Sequence, residues 1–380
     1  MPAAATDRET ALPRMDFIDA LRGWAILMVI AVHAALATRP MSPLLDRISW
    51  HGRMGVVLFF VASAVTLWLS AQRRCHEAAP TRNFFIRRFF RIAPMFYVGA
   101  LIALATDGMG PRGEAPFGIT LLDLSSTLLF LHGWRPESIN SLVPGGWSIA
   151  VEMTFYALLP LIILGVRNRY AAFVVLAASL LIANPLGNLV ASYLAGLGNG
   201  YPPPMISSFI NLWFPNHLPE FIMGIIVAFV IGGGPRKVDR LASLGLAGVA
   251  LVFLYSFMFV QTGRGLLNSN HLFGVGFSIF ALSLACWENP VFVNRVICFI
   301  GKISFSIYIV HMALMRWLEK GSLPFPAYPT ADPDLRYFVH FGCLLLASVA
   351  ISTFTYYFIE KKGIALGARL IARLEQRSAR

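Results

Sequence analysis

Three arginines lie close together among aromatic residues in FFIRRFFRIAP, residues 84–94. Arg88 and Arg91 are three residues apart and share one side of a helix, and Arg87 lies beside them. The planar guanidinium group suits phosphate oxygens better than any other side chain, so this cluster predicts an anion site. The alternative is that these arginines only anchor the inner end of a membrane span, where basic residues collect.

A second set of ionisable groups lies in DALRGWAILMVIAVHAAL, residues 19–36. Arg22 and His33 fall on one helix face, about 16 Å apart along its axis, and Asp19 can pair with Arg22. Ionisable groups inside a span cost about 2.5 to 3.5 kcal/mol each, which makes them candidates for function. The alternative is an arginine that reaches the head groups and a core histidine bonded to a carbonyl.

Two further apolar segments carry a polar stripe. In PGGWSIAVEMTFYALLP, residues 144–160, Ser148, Glu152 and Tyr156 recur every four residues. In GKISFSIYIVHMAL, residues 301–314, the stripe consists of Ser304, Tyr308 and His311. Either stripe could instead hold neighbouring helices together by hydrogen bonds.

Helix rise gives the expected depth of these groups. At 1.5 Å per residue, His33 lies about 24 Å from the inner edge of its span, and His311 and Glu152 lie about 20 Å from it. We therefore expect all three side chains to meet in the outer half of the bilayer.

The composition indicates the elements that position these residues. Of 380 residues, 57% are hydrophobic and 13% charged, and the mean hydropathy is +0.66, which is too apolar for a soluble domain. The sequence predicts an all-α, polytopic membrane helical bundle with about ten spans of about 20 residues each. The expected spans are 17–37, 54–72, 84–106, 145–166, 171–191, 216–233, 241–260, 271–287, 298–318 and 337–359. A shorter run, 118–133, is expected to be interfacial or re-entrant.

The distribution of Lys and Arg predicts the orientation. With the N-terminus inside, 22 of the 31 basic residues fall in cytoplasmic stretches. This favours two cytoplasmic ends, a tail 1–16 and a basic tail 361–380, around a membrane domain 17–360. The net charge of +12 then follows from topology and from contact with anionic lipid, so we do not expect nucleic acid as a partner. A cleavable signal peptide at the first span is the alternative.

Several common motifs are absent. The four cysteines, Cys75, Cys286, Cys298 and Cys343, form no CxxC, and there is no HExxH, GxxxxGK or GxGxxG. Zinc hydrolase, P-loop and dinucleotide functions therefore lose their usual support, and no metal is expected.

The combined motifs resemble the integral membrane acyltransferase 3 family of bacterial enzymes. The similarity lies in FIDALRGWAILMVIAVH with Arg22 and His33, RRFFRIAPMFY with Arg88 and Arg91, GGWSIAVEMTFYALLP with Trp147 and Glu152, ISFSIYIVH with His311, and YYFIEKKG with Glu360. Met153 and Lys362 depart from the family pattern. The resemblance is to the type that lacks an additional soluble domain.

The resemblance implies transfer of an acyl group, most simply acetyl, from cytoplasmic acyl-CoA to a glycan or glycolipid outside a bacterial inner membrane. His33 would be the general base, Glu152 would orient it or bind the acceptor, and Arg22, Arg88, Arg91 and Arg87 would bind the donor. The supporting residues would be Asp19, Trp147, Ser148, Tyr156, Ser304, Tyr308, His311 and Glu360.

Two other functions remain open from the sequence. A glycan or lipid transporter or flippase would show polar groups along both halves of a pathway and often an inverted repeat. A membrane scaffold would leave Glu152 unexplained. The uncharged aromatic segment 192–215 suits sugar stacking, and it equally suits an interfacial belt.

Overall fold

The computed structural model describes residues 15–40, 42–113, 115–198, 200–232, 239–260, 267–320 and 331–378. Most of the predicted tail 1–16 lies outside these residues, as do residue 233 of the sixth predicted span and the end of the tail 361–380. Within them the chain is helical, and the only β-pairing in the described segments is an isolated bridge between Arg112 and Ala115. The all-α prediction is confirmed.

Fifteen α-helices follow one another along the described chain. They are α1 (Asp16–Thr38), α2 (Pro43–Trp50), α3 (Gly55–Arg73), α4 (Pro80–Asp107), α5 (Leu121–Leu128), α6 (Trp147–Gly165), α7 (Arg169–Gly196), α8 (Pro203–Leu212), α9 (Phe214–Ile231), α10 (Arg240–Phe257), α11 (Ser269–Cys286), α12 (Arg295–Lys302), α13 (Ser304–Glu319), α14 (Pro333–Thr355) and α15 (Lys361–Ser378).

The helices account for the predicted spans. In the described residues, nine helical segments are long and apolar enough to cross a membrane, or ten if the bent pair α12–α13 is one span. The prediction of about ten spans is therefore confirmed. The short helices α2 and α8 lead directly into α3 and α9 and lengthen those two segments.

The predicted span 298–318 is not straight, since α12 and α13 meet at an angle of 72°. Gly301 of α12 lies against the backbone of α1, and a Cβ on it would be 1.7 Å from the carbonyl oxygen of Asp19. Asn294 caps α12, its side chain accepting from the N–H groups of Val296 and Ile297. The bend therefore lets α12 cross α1 closely while α13 enters the bundle.

The core consists mainly of side chains from α1, α3, α4, α6, α9, α11 and α13. Helices α7, α10 and α14 lie at the periphery and expose large apolar side chains, among them Val174, Val252 and Leu346. Such a surface is stable in lipid and unfavourable in water. The bundle therefore has a packed centre and an apolar outer ring.

The segment before α6 enters the bundle. Helix α5 begins with a capping box between Thr120 and Asp123, and a 3₁₀ turn follows at His132–Trp134. Beyond it Leu142 and Val143 are buried. The run 118–133 contains no span, as expected, and α6 begins inside the bundle because the chain before it already packs there.

The last span ends in a π-helical turn, Tyr356–Glu360, which continues into α15. The predicted tail 361–380 is thus a helix over its described part. It packs on α4, where Gly363 and Gly367 face Phe90.

Candidate active site

A small cavity inside the bundle contains two arginines of the predicted cluster, Arg88 and Arg91, together with Arg22 of α1. Its volume is about 70 Å³, and side chains from α1, α3, α4, α6 and α13 line it. Arg22, Arg88 and Arg91 reach it from two helices, and Glu152 and Tyr156 reach it from α6. We call it the arginine cavity.

Two of the three arginines have carboxylate partners. Arg22 lies 3.5 Å from Asp19 and donates to Thr66 Oγ1 at 2.9 Å. Arg91 lies 3.9 Å from Glu360, a fully buried carboxylate that also accepts from Ser306. The π-helical turn presents Glu360 to this cluster, as such turns often do at functional sites.

Arg88 differs from its neighbours. Its guanidinium lies 5.7 Å from the ring centre of Phe84 and 5.9 Å from that of Tyr156. Its Nε is buried without a hydrogen-bond partner in the described chain. A buried cation held by aromatic faces alone can bind an incoming anion at low cost, because no internal pair has to break first.

Glu152 lies with the arginines and not with the histidines. One of its oxygens accepts from Ser63 at 2.6 Å and from Tyr156 at 2.5 Å. The depth predicted for Glu152 is wrong, because that count assumed that α6 begins at the membrane surface. Glu152 therefore balances the arginine charge and does not orient His33.

A second cavity, of about 440 Å³, lies further along α1 and contains His33. The ring nitrogen Nδ1 of His33 is 2.8 Å from the carbonyl oxygen of Val29. A carbonyl only accepts hydrogen bonds, so Nδ1 carries the proton and Nε2 keeps its lone pair. We call this space the histidine cavity.

His311 lies directly behind His33. Their ring centres are 5.1 Å apart, close to perpendicular, so the predicted meeting of these two groups is observed. His311 Nδ1 is 3.0 Å from the carbonyl oxygen of Ile307, and the residue is fully buried. Only His33 of the pair lines the cavity, so His33 is the one placed to contact a ligand there.

The rim of the histidine cavity was not predicted. Arg316, Glu319 and His340 line it, and Arg316 and Lys320 pair with Asp107 at the end of α4. Arg316, Glu319, Lys320 and Asp107 lie near or beyond the ends of the predicted spans, where charge is expected for solubility alone, so the sequence carried no signal that distinguishes them. His340 lies inside the predicted span 337–359, and as an ionisable group within a span it was readable.

Tyr308 lines the arginine cavity and contacts the segment that leads to the histidine cavity. Its hydroxyl donates to the carbonyl oxygen of Gly145 at 2.9 Å, and Ser148 is 2.9 Å from the same hydroxyl. Tyr308 and Ser148 line the arginine cavity, and Pro144 lines the histidine cavity. Gly145 has a φ of +75°, and a Cβ there would be 2.9 Å from the Tyr308 hydroxyl. Glycine is thus required at this contact.

Arg87 lies apart from the arginine cavity. Together with Arg74 and Phe84 it lines a third space, of about 240 Å³, at the end of the bundle where α3 and α4 connect. Both arginines hydrogen-bond to Glu77. Burial acts to raise the pKa of Glu77, but hydrogen bonds from Arg87, Arg74 and Asn83 outweigh it and hold the pKa below its ordinary value.

The remaining predicted residues divide between two places. Ser304 lines the arginine cavity, whereas Trp147 packs against Phe60 and His217. Ser63 and Thr66 of α3 were not predicted, although their spacing of three within an apolar span was a readable signal.

No group of three or more His, Cys, Asp or Glu side chains within the described ranges could hold a metal ion.

Comparison with known proteins gives one family. A family model described as an acyltransferase domain matches residues 15–357. This range includes every predicted site residue except Glu360. No solved structure matches the chain significantly.

The relatives have low identity and long alignments. A Staphylococcus aureus (strain MSSA476) protein, provisionally named an O-acetyltransferase, is 24% identical over 387 residues, which cover 92% of this chain and 58% of that protein. The exopolysaccharide production protein ExoZ of Rhizobium meliloti (strain 1021) is 25% identical over 72% of this chain and 79% of its own length. The peptidoglycan O-acetyltransferase OatA of Listeria monocytogenes is 24% identical over 90% of this chain and 54% of its own length. The chain thus spans little more than half of the first of these relatives.

Proposed function

The chain belongs to the acyltransferase domain family, and from this premise we propose that it transfers an acyl group, most simply acetyl, from acyl-CoA to a glycan hydroxyl across the membrane. The observation that carries the proposal is the pair of cavities along α1. One is lined by Arg22 and Tyr308 and the other by His33, and the Tyr308 hydroxyl donates to Gly145, which is next to Pro144 of the second cavity. The pantetheine arm of a donor, which is rich in carbonyl acceptors, suits the first cavity, and a hydroxyl acceptor that must lose a proton suits the second.

The donor would approach from the end that carries most of the basic residues. The third space, lined by Arg74 and Arg87, lies at that end, and we call it the mouth. Phe84 also lines the mouth and contacts the guanidinium of Arg88. The nucleotide phosphates would stay near the mouth, because the arginine cavity of about 70 Å³ admits no nucleotide. The thin pantetheine arm would extend past Arg88 and Arg22, and Tyr308 would have to move for the thioester to reach His33.

His33 would act as general base. Its Nε2 takes the proton from the acceptor hydroxyl while that oxygen bonds to the thioester carbonyl carbon. The C–S bond then breaks, and the departing thiolate receives the proton from His33. The products are the O-acyl glycan and free CoA, so atoms and charge balance without a further reactant.

Different observations support the class of acceptor and the side of the membrane on which transfer takes place. Two relatives are named after exopolysaccharide production and peptidoglycan O-acetylation, which favours a glycan or glycolipid acceptor. The excess of Lys and Arg favours a cytoplasmic location for the arginine end. The histidine cavity would then open on the outer side of a bacterial inner membrane.

Transfer of labelled acetyl from acetyl-CoA to a cell-envelope glycan fraction, in membranes containing the protein, tests the proposal. His33→Gln should lower the rate by about a hundredfold or more, the usual contribution of a general base. His51→Gln, a histidine stacked on Phe273 away from both cavities, is the matched control. Unchanged transfer by the His33 variant would refute the assigned base, and glycan movement without acyl transfer would favour a transporter.

A further inference from the structure

A wide polar cleft lies apart from the sites described so far. It has a volume of about 960 Å³, runs between α7 and α8, and reaches the start of α9 and the residue that caps α11. Because α6 leads away from the histidine cavity and α7 returns, the cleft lies at the same end of the bundle as His33. The two cavities share no lining residue.

The lining of the cleft is rich in side-chain amides and hydroxyls. Its polar residues are Asn184, Asn188, Asn211, Asn216, Asn268, Ser192, Ser207 and Tyr201, and none of its lining residues is charged. An amide both donates and accepts, which matches the two functions of a sugar hydroxyl. A phosphate or carboxylate ligand would require arginine or lysine instead.

Hydrogen bonds fix one wall of the cleft. Asn216 donates to the carbonyl oxygen of Asn211 at 3.0 Å, and Asn268 donates to the side-chain oxygen of Asn216 at 2.9 Å. Asn268 also caps α11 by accepting from the N–H group of His271. These amides are therefore held in place by the fold and set the position of the wall.

The opposite wall presents polar side chains that have no hydrogen-bond partner among the described residues. Asn188 and Ser192 lie one turn apart on α7, and both are exposed. Small residues at Ala183, Gly187, Ala191 and Ala195 make the floor of the cleft beside them. An exposed amide and an exposed hydroxyl on a helix that otherwise faces lipid need a polar ligand or water.

We propose that this cleft binds a neutral, hydroxyl-rich portion of the acceptor glycan, several sugar units away from the unit that is acylated. The inference rests on the proposed function and adds a second, non-catalytic contact for the same acceptor. A free glycan chain and a glycolipid head group offer the same chemistry at this place.

Acceptor kinetics with neutral glucose oligomers, from dimer to octamer, test the cleft. The double variant Asn188→Leu with Ser192→Ala should raise the acceptor KM about tenfold for the longer oligomers, because two neutral hydrogen bonds are lost. The dimer and the donor KM should be unaffected. Leu189→Ala, on the exposed face of the same helix, is the control.

Two further measurements complete the test. One distinguishes a glycolipid head group from a free glycan chain, and the other measures binding to the cleft even if the protein transfers no acyl group. The same kinetics with a glycolipid in vesicles distinguish a head group from a free chain. Calorimetric binding of the octamer to the purified protein, without donor, measures the cleft even if no transfer occurs. Equal octamer affinity and equal KM in wild type and double variant, for both acceptors, would overturn the inference. Absence of transfer by wild type together with weakened octamer binding in the variant would refute only the proposed function.

Discussion

At the residue scale, the arrangement of charge explains why three arginines are tolerated in the bundle. Arg22 and Arg91 have carboxylates within 4.0 Å, and Glu152 adds a third negative group to the arginine cavity. Arg88 is the one member of the described cluster that is held only by aromatic rings. The three carboxylates thus match the three arginines in charge, and Arg88, which has no direct carboxylate partner among the described residues, keeps its N–H donors for the pantetheine arm of the donor.

Replacing Arg88 by Gln should raise the KM for acetyl-CoA about tenfold to hundredfold, because a hydrogen bond to a charged group contributes about 1.5 to 3 kcal/mol. Arg169→Gln removes an equal charge at the exposed start of α7 on the same end of the bundle and should leave the KM unchanged. The measurement is steady-state release of CoA at varied donor concentration. Equal effects of the two variants would indicate general electrostatics and not a defined contact.

Asp123 provides a pH-dependent prediction outside the spans. Burial acts to raise its pKa, but hydrogen bonds from Ser138 and Thr120 outweigh burial and lower the pKa from the ordinary value of 3.8. A carboxyl with a depressed folded pKa stabilises above its unfolded pKa, and this contribution is lost as the pH falls through the folded value. Thermal unfolding in detergent should therefore show wild type more stable than Asp123→Asn at neutral pH, and this difference in stability should decrease only below about pH 4. A constant difference between pH 7 and pH 3 would contradict this assignment.

At the element scale, the crossing of α12 over α1 determines where the first span places its polar groups. Gly23 of α1 and Gly301 of α12 face each other's backbones, so no side chain separates the helices. This contact lies beside Asp19 and Arg22 and thus fixes the wall of the arginine cavity. The bend at Ile303 lets α12 keep this contact while α13, which carries Tyr308, enters the bundle beside the arginine cavity.

Gly301→Ala should destabilise the protein by about 1 to 3 kcal/mol, the usual cost of overpacking. Gly342→Ala on α14, where a Cβ meets nothing within 4 Å, should be neutral or slightly stabilising, since alanine favours a helix. Thermal unfolding of both variants in the same detergent checks the difference. Comparable stability of the two would show that α12 adjusts without cost.

The contact between α6 and α13 at Tyr308 predicts a gating effect. Tyr308→Phe removes the hydroxyl that bonds to Gly145 and should increase hydrolysis of acetyl-CoA in the absence of acceptor about two- to tenfold, in line with the net value of one hydrogen bond. Tyr255→Phe, on the exposed face of α10, is the control. Lower hydrolysis in the Tyr308 variant would instead assign its hydroxyl to the reaction itself.

At the scale of the whole molecule, the two ends of the bundle differ in charge and in chemistry. The mouth with Arg74 and Arg87 lies at one end, and the histidine cavity and the amide-rich cleft lie at the other. The rule for basic residues assigns the first end to the cytoplasm. This orientation stays a prediction, and the proposed direction of transfer depends on it.

Native Cys75 reports the orientation directly, because it is exposed in the connection between α3 and α4. A membrane-impermeant maleimide should leave Cys75 unlabelled in intact cells and label it in inverted vesicles. Gly110→Cys in a Cys75→Ser background places a thiol at the opposite end, where a Cβ meets nothing within 4 Å, and should show the reverse pattern. Labelling of Cys75 in intact cells would invert the proposed topology.

The sequence by itself determined the helical spans, the pairing of Arg88 with Arg91 in one site, and the proximity of His33 and His311. These features follow from free-energy costs that act within a single segment. An apolar run must be helical in lipid, and a charged group within it must find a partner. Only the tertiary structure decided the depth of Glu152, the bend between α12 and α13, and the position of Arg87 outside the arginine cavity. Each depends on where a helix begins or how closely two backbones approach, and that is set by packing between segments distant in the chain. For the same reason only the structure shows that Tyr308, which the sequence indicated as a supporting residue, links the lining of the arginine cavity to Gly145, next to the histidine cavity.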